Sequence, residues 1–134
     1  MYEIFTDGAY SPNAQIGGIG FIIFKDGEKV CEFSKPYRRT TNQRMEIKAC
    51  IVALSSIKKL SEILIYTDSM YVVGSMEYSW RRKCNQDLWY ELDKLVDKHK
   101  VRFIHVKGHN GNVNNERSDK LATDAISRAS NVQL

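Results

Sequence analysis

Four acidic residues stand in sequence settings where they could support catalysis. They are Asp7, Glu46, Asp68 and Asp119. Asp7 and Asp68 each close an apolar stretch typical of a buried strand, so both are expected at the carboxyl edge of a sheet, where open α/β sheets place ligands. Glu46 and Asp119 share helix faces with small apolar residues, so both side chains are expected to face that sheet.

Four carboxylates in one cleft would repel one another and raise each other's pKa unless cations neutralised them. Oxygen donors without cysteine or paired histidine select Mg²⁺ or Mn²⁺ over zinc. Two such ions about 4 Å apart can activate a water and stabilise the departing oxygen of a phosphodiester. The four acids together indicate metal-assisted hydrolysis of a nucleic-acid backbone.

Each acid alone also has an ordinary structural interpretation. An aspartate before glycine at a strand end is usually a turn former. A glutamate in the first turns of a helix complements the helix dipole, and a mid-helix aspartate is usually solvated. The spacing by itself leaves both interpretations open.

The elements that must position these acids follow from local patterns. Residues 2–7, 17–24 and 29–34 favour three antiparallel strands, with Gly8 ending the first and Asp26-Gly27 forming a hairpin turn. Apolar residues at helical spacing predict a helix over 41–60, with Thr40 and Gln43 as a capping box. The later elements are predicted as a strand at 63–66, a short helix at 70–76 capped by Asp68 or Ser69, a helix from Asn85, a strand at 101–106, a loop at 108–112 and a helix at 114–129.

This order predicts an α/β domain with a five-stranded mixed sheet, three antiparallel strands followed by two parallel ones, because parallel strands need long crossovers. Residues 1–129 are expected to form a single domain and 130–134 a frayed tail. Met1 directly before the first strand favours a free-standing chain.

Composition narrows the class of protein. The chain has 134 residues, and its 20 Lys and Arg against 16 Asp and Glu favour a polyanionic partner. Its three cysteines lack disulfide or zinc spacing. No signal peptide or membrane-spanning run is evident, so a cytoplasmic monomer is expected.

Seven short blocks carry a family resemblance. They are Ile4-Phe5-Thr6-Asp7-Gly8, Gly17-Gly18-x-Gly20, Thr41-Asn42-Gln43-Arg44-Met45-Glu46, Thr67-Asp68-Ser69-x-Tyr71-Val72, Asn85-x-Asp87-Leu88-Trp89, Val106-Lys107-Gly108-His109 and Asn115-Glu116-x-x-Asp119-x-Leu121-Ala122. In this order the chain resembles type 1 ribonuclease H. The resemblance implies a ribonuclease H-like fold with helices on both faces of the sheet. It also implies an endonuclease that cuts the RNA strand of RNA–DNA hybrids with two Mg²⁺ ions, for which Mn²⁺ can substitute, leaving 5′-phosphate and 3′-hydroxyl ends.

The resemblance assigns roles to the acids and to one histidine. Asp7, Glu46, Asp68 and Asp119 would bind the metals, with Asp7 bridging both ions. Glu46 would also accept a hydrogen bond from a ribose 2′-OH, the group that distinguishes RNA from DNA. His109 would assist proton movement and product departure, as suits a group that titrates near neutral pH. The alternative for His109 is a solvated loop histidine.

The resemblance also implies contacts with the DNA strand. Arg39, Thr41 and Asn115 would hold a phosphate of that strand, and their donors suit this ligand. Tyr71 and Trp80 would stack on deoxyribose. A core position is an equal alternative for Trp80.

Further contacts would lie near the cut. Asn13, Asn42 and Gln43 would reach minor-groove edges and sugars. Gly8 and Tyr10 would offer backbone groups to the RNA strand, because glycine permits close approach.

One departure from the family lies between Trp80 and Asn85. Many members carry an extra helix and a basic protrusion there, whereas only Arg81-Arg82-Lys83-Cys84 fill the gap in this chain. Each lost phosphate contact lowers affinity and flattens its salt dependence.

Two alternatives remain beside the nuclease. A polynucleotidyl transferase of the resolvase or integrase kind would lack the blocks around Glu46 and His109. A non-catalytic hybrid-binding module would be expected to have lost an acid, and none is lost.

Overall fold

The computed structural model describes residues 1–107 and 111–132, and it describes side chains as far as residue 130. The elements in chain order are β1 (Tyr2–Ser11), β2 (Ile16–Lys25), β3 (Glu28–Arg38), α1 (Asn42–Ser55), β4 (Glu62–Thr67), α2 (Met70–Glu77), α3 (Gln86–Val96), β5 (Lys100–His105) and α4 (Val113–Val132).

The five strands form one mixed sheet in the order β3-β2-β1-β4-β5. β1 pairs antiparallel with β2 and parallel with β4, which pairs parallel with β5. The predicted fold class is therefore confirmed. The predicted hairpin is confirmed as well, since Asp26 and Gly27 have φ values of 50° and 86°, as in a two-residue type I′ turn.

The first strand is longer than its local pattern indicates. Gly8 does not end β1, because the ladder with β2 continues through Gly8 and Ile19 to Ser11 and Ile16. β3 likewise extends four residues beyond the predicted end at residue 34, to Arg38. Backbone pairing with β2 holds both extensions in the sheet.

Helices cover both faces of the sheet. On one face α1, α2 and α3 enclose the main core, which includes Ile4, Ile65 and Trp89. On the other face α4 crosses β1, β2 and β3. A Cβ at Gly20 would overlap the carbonyl oxygen of Ser118, so the missing side chain lets α4 lie directly on β2.

Three helix boundaries differ from the predictions. Thr41, not Thr40, caps α1, and its hydroxyl accepts from the Arg44 N–H at 3.1 Å. α1 ends at Ser55, where the N–H groups of Ser56 and Ile57 turn back to the carbonyls of Ala53 and Leu54. Residues 130–132 continue α4, so the expected tail begins no earlier than residue 133, outside the described residues.

The remaining elements agree closely with the predictions. Ser69 caps α2 by accepting from the Val72 N–H at 3.2 Å. Most of the predicted 108–112 loop lies outside the described residues. No helix in the described part of the chain has the length and apolar character needed to cross a membrane.

Candidate active site

Asp7 is the buried member of the acidic set. It lies on β1 opposite Gly20, and its side chain projects toward α4. Burial raises the pKa of Asp7 to about 9, and a hydrogen bond with Asp119 and the negative charges of Asp68 and Asp119 add to this rise. A hydrogen bond from the Gly8 N–H offsets part of it. Three of the predicted acids therefore converge.

Glu46 joins this group from the opposite face of the sheet. Its Oε1 accepts from the Ser69 hydroxyl at 2.9 Å, and its Oε2 accepts from the Asn42 side chain at 3.5 Å. Burial and then the charge of Asp68 raise the pKa of Glu46, while the two hydrogen bonds lower it. All four predicted acids thus belong to one electrostatically linked cluster.

Gly8 allows Glu46 to lie close to β1. A Cβ at Gly8 would overlap the backbone of Met45 and Glu46. Without a side chain at this position, the first turns of α1 approach β1 directly after Asp7. The Asp-Gly pair therefore places one acid and makes room for another.

Ser69 is a site residue that the sequence patterns did not identify as one. Its buried hydroxyl donates to Glu46 while accepting from the Val72 N–H at the start of α2. Its own N–H donates to the Thr67 hydroxyl at 3.1 Å. The predicted capping role of Ser69 was the available signal, but the contact with Glu46 joins residues 23 positions apart in sequence.

The donor set fits a hard divalent cation. All four groups offer carboxylate oxygens, and burial raises the pKa of Asp7 together with the hydrogen bond to Asp119 and the negative charges of Asp68 and Asp119. Within residues 1–107 and 111–132, no three Asp, Glu, His or Cys side chains lie close enough together to hold a metal ion by themselves. An open set suits Mg²⁺, which keeps several waters and takes substrate phosphate oxygens as further ligands.

Several predicted substrate contacts lie near the end of β3 and the start of α1. Tyr10 and Arg39 line the same cavity of about 510 Å³. Thr41 caps α1 with its side chain, and Asn13 and Gln43 are exposed.

Asn115 does not join Arg39 and Thr41 as predicted. It is buried in the first turn of α4, on the opposite face of the sheet from α1. Asn85 is the amide on the α1 side, since its Oδ1 accepts from Arg44 at 3.2 Å and Arg44 lines a cavity with Arg39. The block Asn85-x-Asp87-Leu88-Trp89 was the signal that could have identified it.

The two aromatic candidates lie on α2 and just after it. The Tyr71 hydroxyl accepts from the Asn85 side chain at 3.0 Å, and its ring lies 5.3 Å from that of Trp89. The Trp80 ring packs over Gly74 yet remains 49% exposed. Trp80 is therefore not a core residue, and one part of its side chain is accessible to solvent. His109 lies outside the described residues.

The short basic segment has less available charge than its sequence suggests. Arg82 forms two hydrogen bonds with Asp93, at 2.6 and 3.1 Å, and lies over the Trp89 ring. Arg81 and Lys83 are exposed. Two of the three cations in this segment are therefore exposed, and the third is bound to Asp93.

Comparison with known proteins identifies the family. The RNase H family model matches residues 1–127. Ribonuclease HI of Synechocystis sp. is 41% identical over 96% of this chain and 89% of its own length. The N-terminal RNase H domain of rv2228c from Mycobacterium tuberculosis shares the fold with a TM-score of 0.86 at 22% identity, covering 99% of this chain and 98% of that one.

A second solved structure is LC11-RNase H1 in complex with an RNA/DNA hybrid. Its TM-score is 0.83 at 24% identity, and the match covers 96% of this chain and 99% of that one. The predicted resemblance is confirmed: the chain belongs to the type 1 ribonuclease H family and is a nuclease of that family.

Proposed function

We propose that this protein cuts the RNA strand of RNA–DNA hybrids endonucleolytically, with divalent metal ions held by Asp7, Glu46, Asp68 and Asp119. The observation that carries the proposal is the convergence of these acids, with buried Asp7 linked to both Asp68 and Asp119. The hybrid bound to LC11-RNase H1, a protein of the same fold, supports the choice of substrate.

The chain's own residues prepare this site. Asp7 and Asp119 come from two different elements, β1 and α4, and are joined by a hydrogen bond near Asp68. Ser69 holds one oxygen of Glu46 at 2.9 Å, and Asn42 lies 3.5 Å from the other oxygen, at the outer limit of a hydrogen bond. Two bound Mg²⁺ ions, or Mn²⁺ in their place, would activate a water and stabilise the departing oxygen, leaving 5′-phosphate and 3′-hydroxyl ends.

The remaining roles concern recognition and proton movement. We propose that Glu46 also accepts a hydrogen bond from a ribose 2′-OH, which would restrict cutting to the RNA strand. His109 is proposed to assist proton movement and product departure. Arg39 and Thr41, with Gly8, Tyr10, Asn13 and Gln43 around them, would hold the hybrid, and a monomer in the cytoplasm remains our expectation.

A cleavage assay on matched substrates tests this function. With Mg²⁺ the native protein should cut the RNA of a hybrid and leave single-stranded RNA and duplex DNA largely intact. Asp68→Asn should abolish cutting while hybrid binding survives, and the exposed Asp97→Asn should serve as a matched control with native activity. Undiminished cutting by Asp68→Asn, full activity with EDTA present, or equal cutting of duplex DNA would contradict the proposal.

A further inference from the structure

A cationic groove lies between the end of β3 and the first turns of α1. It consists of two adjoining cavities of about 510 and 150 Å³, and both are lined by Arg38, Arg39 and Thr40. Lys48 of α1 and Tyr37 of β3 extend the lining of the smaller cavity. Among the described residues, no carboxylate lines either cavity.

Tyr37 holds two lysines at this groove. The Lys35 and Lys48 ammonium groups lie 5.3 and 5.9 Å from the centre of its ring. An aromatic face attracts a cation without neutralising it, so both charges remain available to an anion. The ring thus orders two flexible side chains beside Arg38 and Arg39.

The acids near the groove do not cancel its charge. Asp87 forms two hydrogen bonds with Arg44, at 3.0 and 2.7 Å, and so balances that one guanidinium. Glu91 lies close enough for its charge to add to the effect of burial in raising the pKa of Tyr37. Among the described residues, the two carboxylates Asp87 and Glu91 therefore face four cations, namely Lys35, Arg39, Arg44 and Lys48.

We infer that this groove binds consecutive backbone phosphates of a polynucleotide, with Lys35 and Lys48 extending the phosphate contact expected at Arg39 and Thr41. The inference rests on the proposed function and adds a binding surface to it. Arginine and lysine bind phosphate oxygens through charge-assisted hydrogen bonds. An elongated basic groove also matches a chain of phosphates better than a single anion.

Such a surface would replace part of the missing protrusion. Between Trp80 and Asn85 the exposed cations are Arg81 and Lys83, since Arg82 is bound to Asp93. The groove lies elsewhere, between the end of β3 and the first turns of α1. Phosphate contacts that many family members make between Trp80 and Asn85 would thus be made by the groove between β3 and α1.

The salt dependence of binding tests the inference. In the Asp68→Asn background, which keeps a hybrid intact, the association constant is measured by fluorescence anisotropy over a series of salt concentrations. The double variant Lys35→Gln and Lys48→Gln should reduce the slope of log K against log[salt] by about 1.5 and lower affinity about tenfold at 0.1 M salt.

A matched control removes the same charge at the opposite end of the sheet. Lys59→Gln with Lys100→Gln changes two exposed lysines near the amino ends of β4 and β5 and should leave the slope unchanged. With a duplex DNA of the same length, the groove variant should show the same reduction in slope, because backbone phosphates are present in both duplexes. Thermal melting checks that both double variants are folded.

The outcomes separate this inference from the proposed function. An unchanged slope in the groove variant of a protein that cuts hybrids would overturn the groove alone. A slope change confined to the hybrid would overturn its assignment to backbone phosphates. Failure of the native protein to cut hybrids would contradict the proposed function itself.

Discussion

Replacing Asp7 by asparagine should abolish cleavage and yet stabilise the metal-free protein. Asp7 is only 6% exposed, and burial with two neighbouring carboxylates raises its pKa from 3.8 to about 9. Between these values the folded protein keeps a proton that the unfolded chain releases. The free energy of unfolding therefore falls as the pH rises through this range.

The expected magnitude follows from the size of this effect. At pH 7 the solution is about three pH units above the pKa of Asp7 in the unfolded chain. Each unit corresponds to about 1.4 kcal/mol, so the burial of Asp7 lowers the free energy of unfolding by at most about 4 kcal/mol. Asparagine is itself a buried polar group, which reduces the gain. We expect Asp7→Asn to be more stable by about 1 to 3 kcal/mol at pH 7 and to lose this advantage near pH 4.

Urea denaturation in EDTA between pH 4 and pH 9 measures this difference. The exposed Asp97→Asn should show no comparable pH-dependent gain and serves as the control. Added Mg²⁺ should narrow the gap, because a cation that binds only the folded native protein stabilises it. A difference that does not grow with pH, or a destabilised Asp7→Asn, would refute the reasoning.

Three further changes test how the site is held. Ser69→Ala should lower kcat and lower the free energy of unfolding by about 1 kcal/mol, because one hydroxyl holds Glu46 and caps α2. Ser69→Thr should restore activity, and an unchanged kcat in the alanine variant would contradict this role. Gly8→Ala should destabilise the protein by about 1 to 3 kcal/mol in urea and reduce cleavage, since its methyl group would displace the start of α1; native stability would show that α1 can shift freely. Arg82→Ala should lower the melting temperature without changing the salt dependence of hybrid binding. Arg81→Ala should change the salt dependence and leave the melting temperature unchanged. A changed salt dependence in Arg82→Ala would mean that Arg82 contacts the nucleic acid.

The order of elements was readable because its signals are local. The Asp26-Gly27 turn, the helical spacing of α1 and the capping serine of α2 each involve residues close in sequence. Strand ends were less predictable. Gly8 looks like a terminator in its own segment, but pairing with β2 carries β1 beyond it.

The sequence by itself proposed the four acids as candidates, through their residue types and the motifs around them. Only the tertiary structure decided that Asp7 is the buried one, that Ser69 fixes Glu46 and that Asn85, not Asn115, lies on the α1 side. It also decided that Arg82 is bound to Asp93 while Lys35 and Lys48 meet at Tyr37. Burial and charge balance depend on residues brought together from distant parts of the chain, and local sequence patterns carry no information about those neighbours.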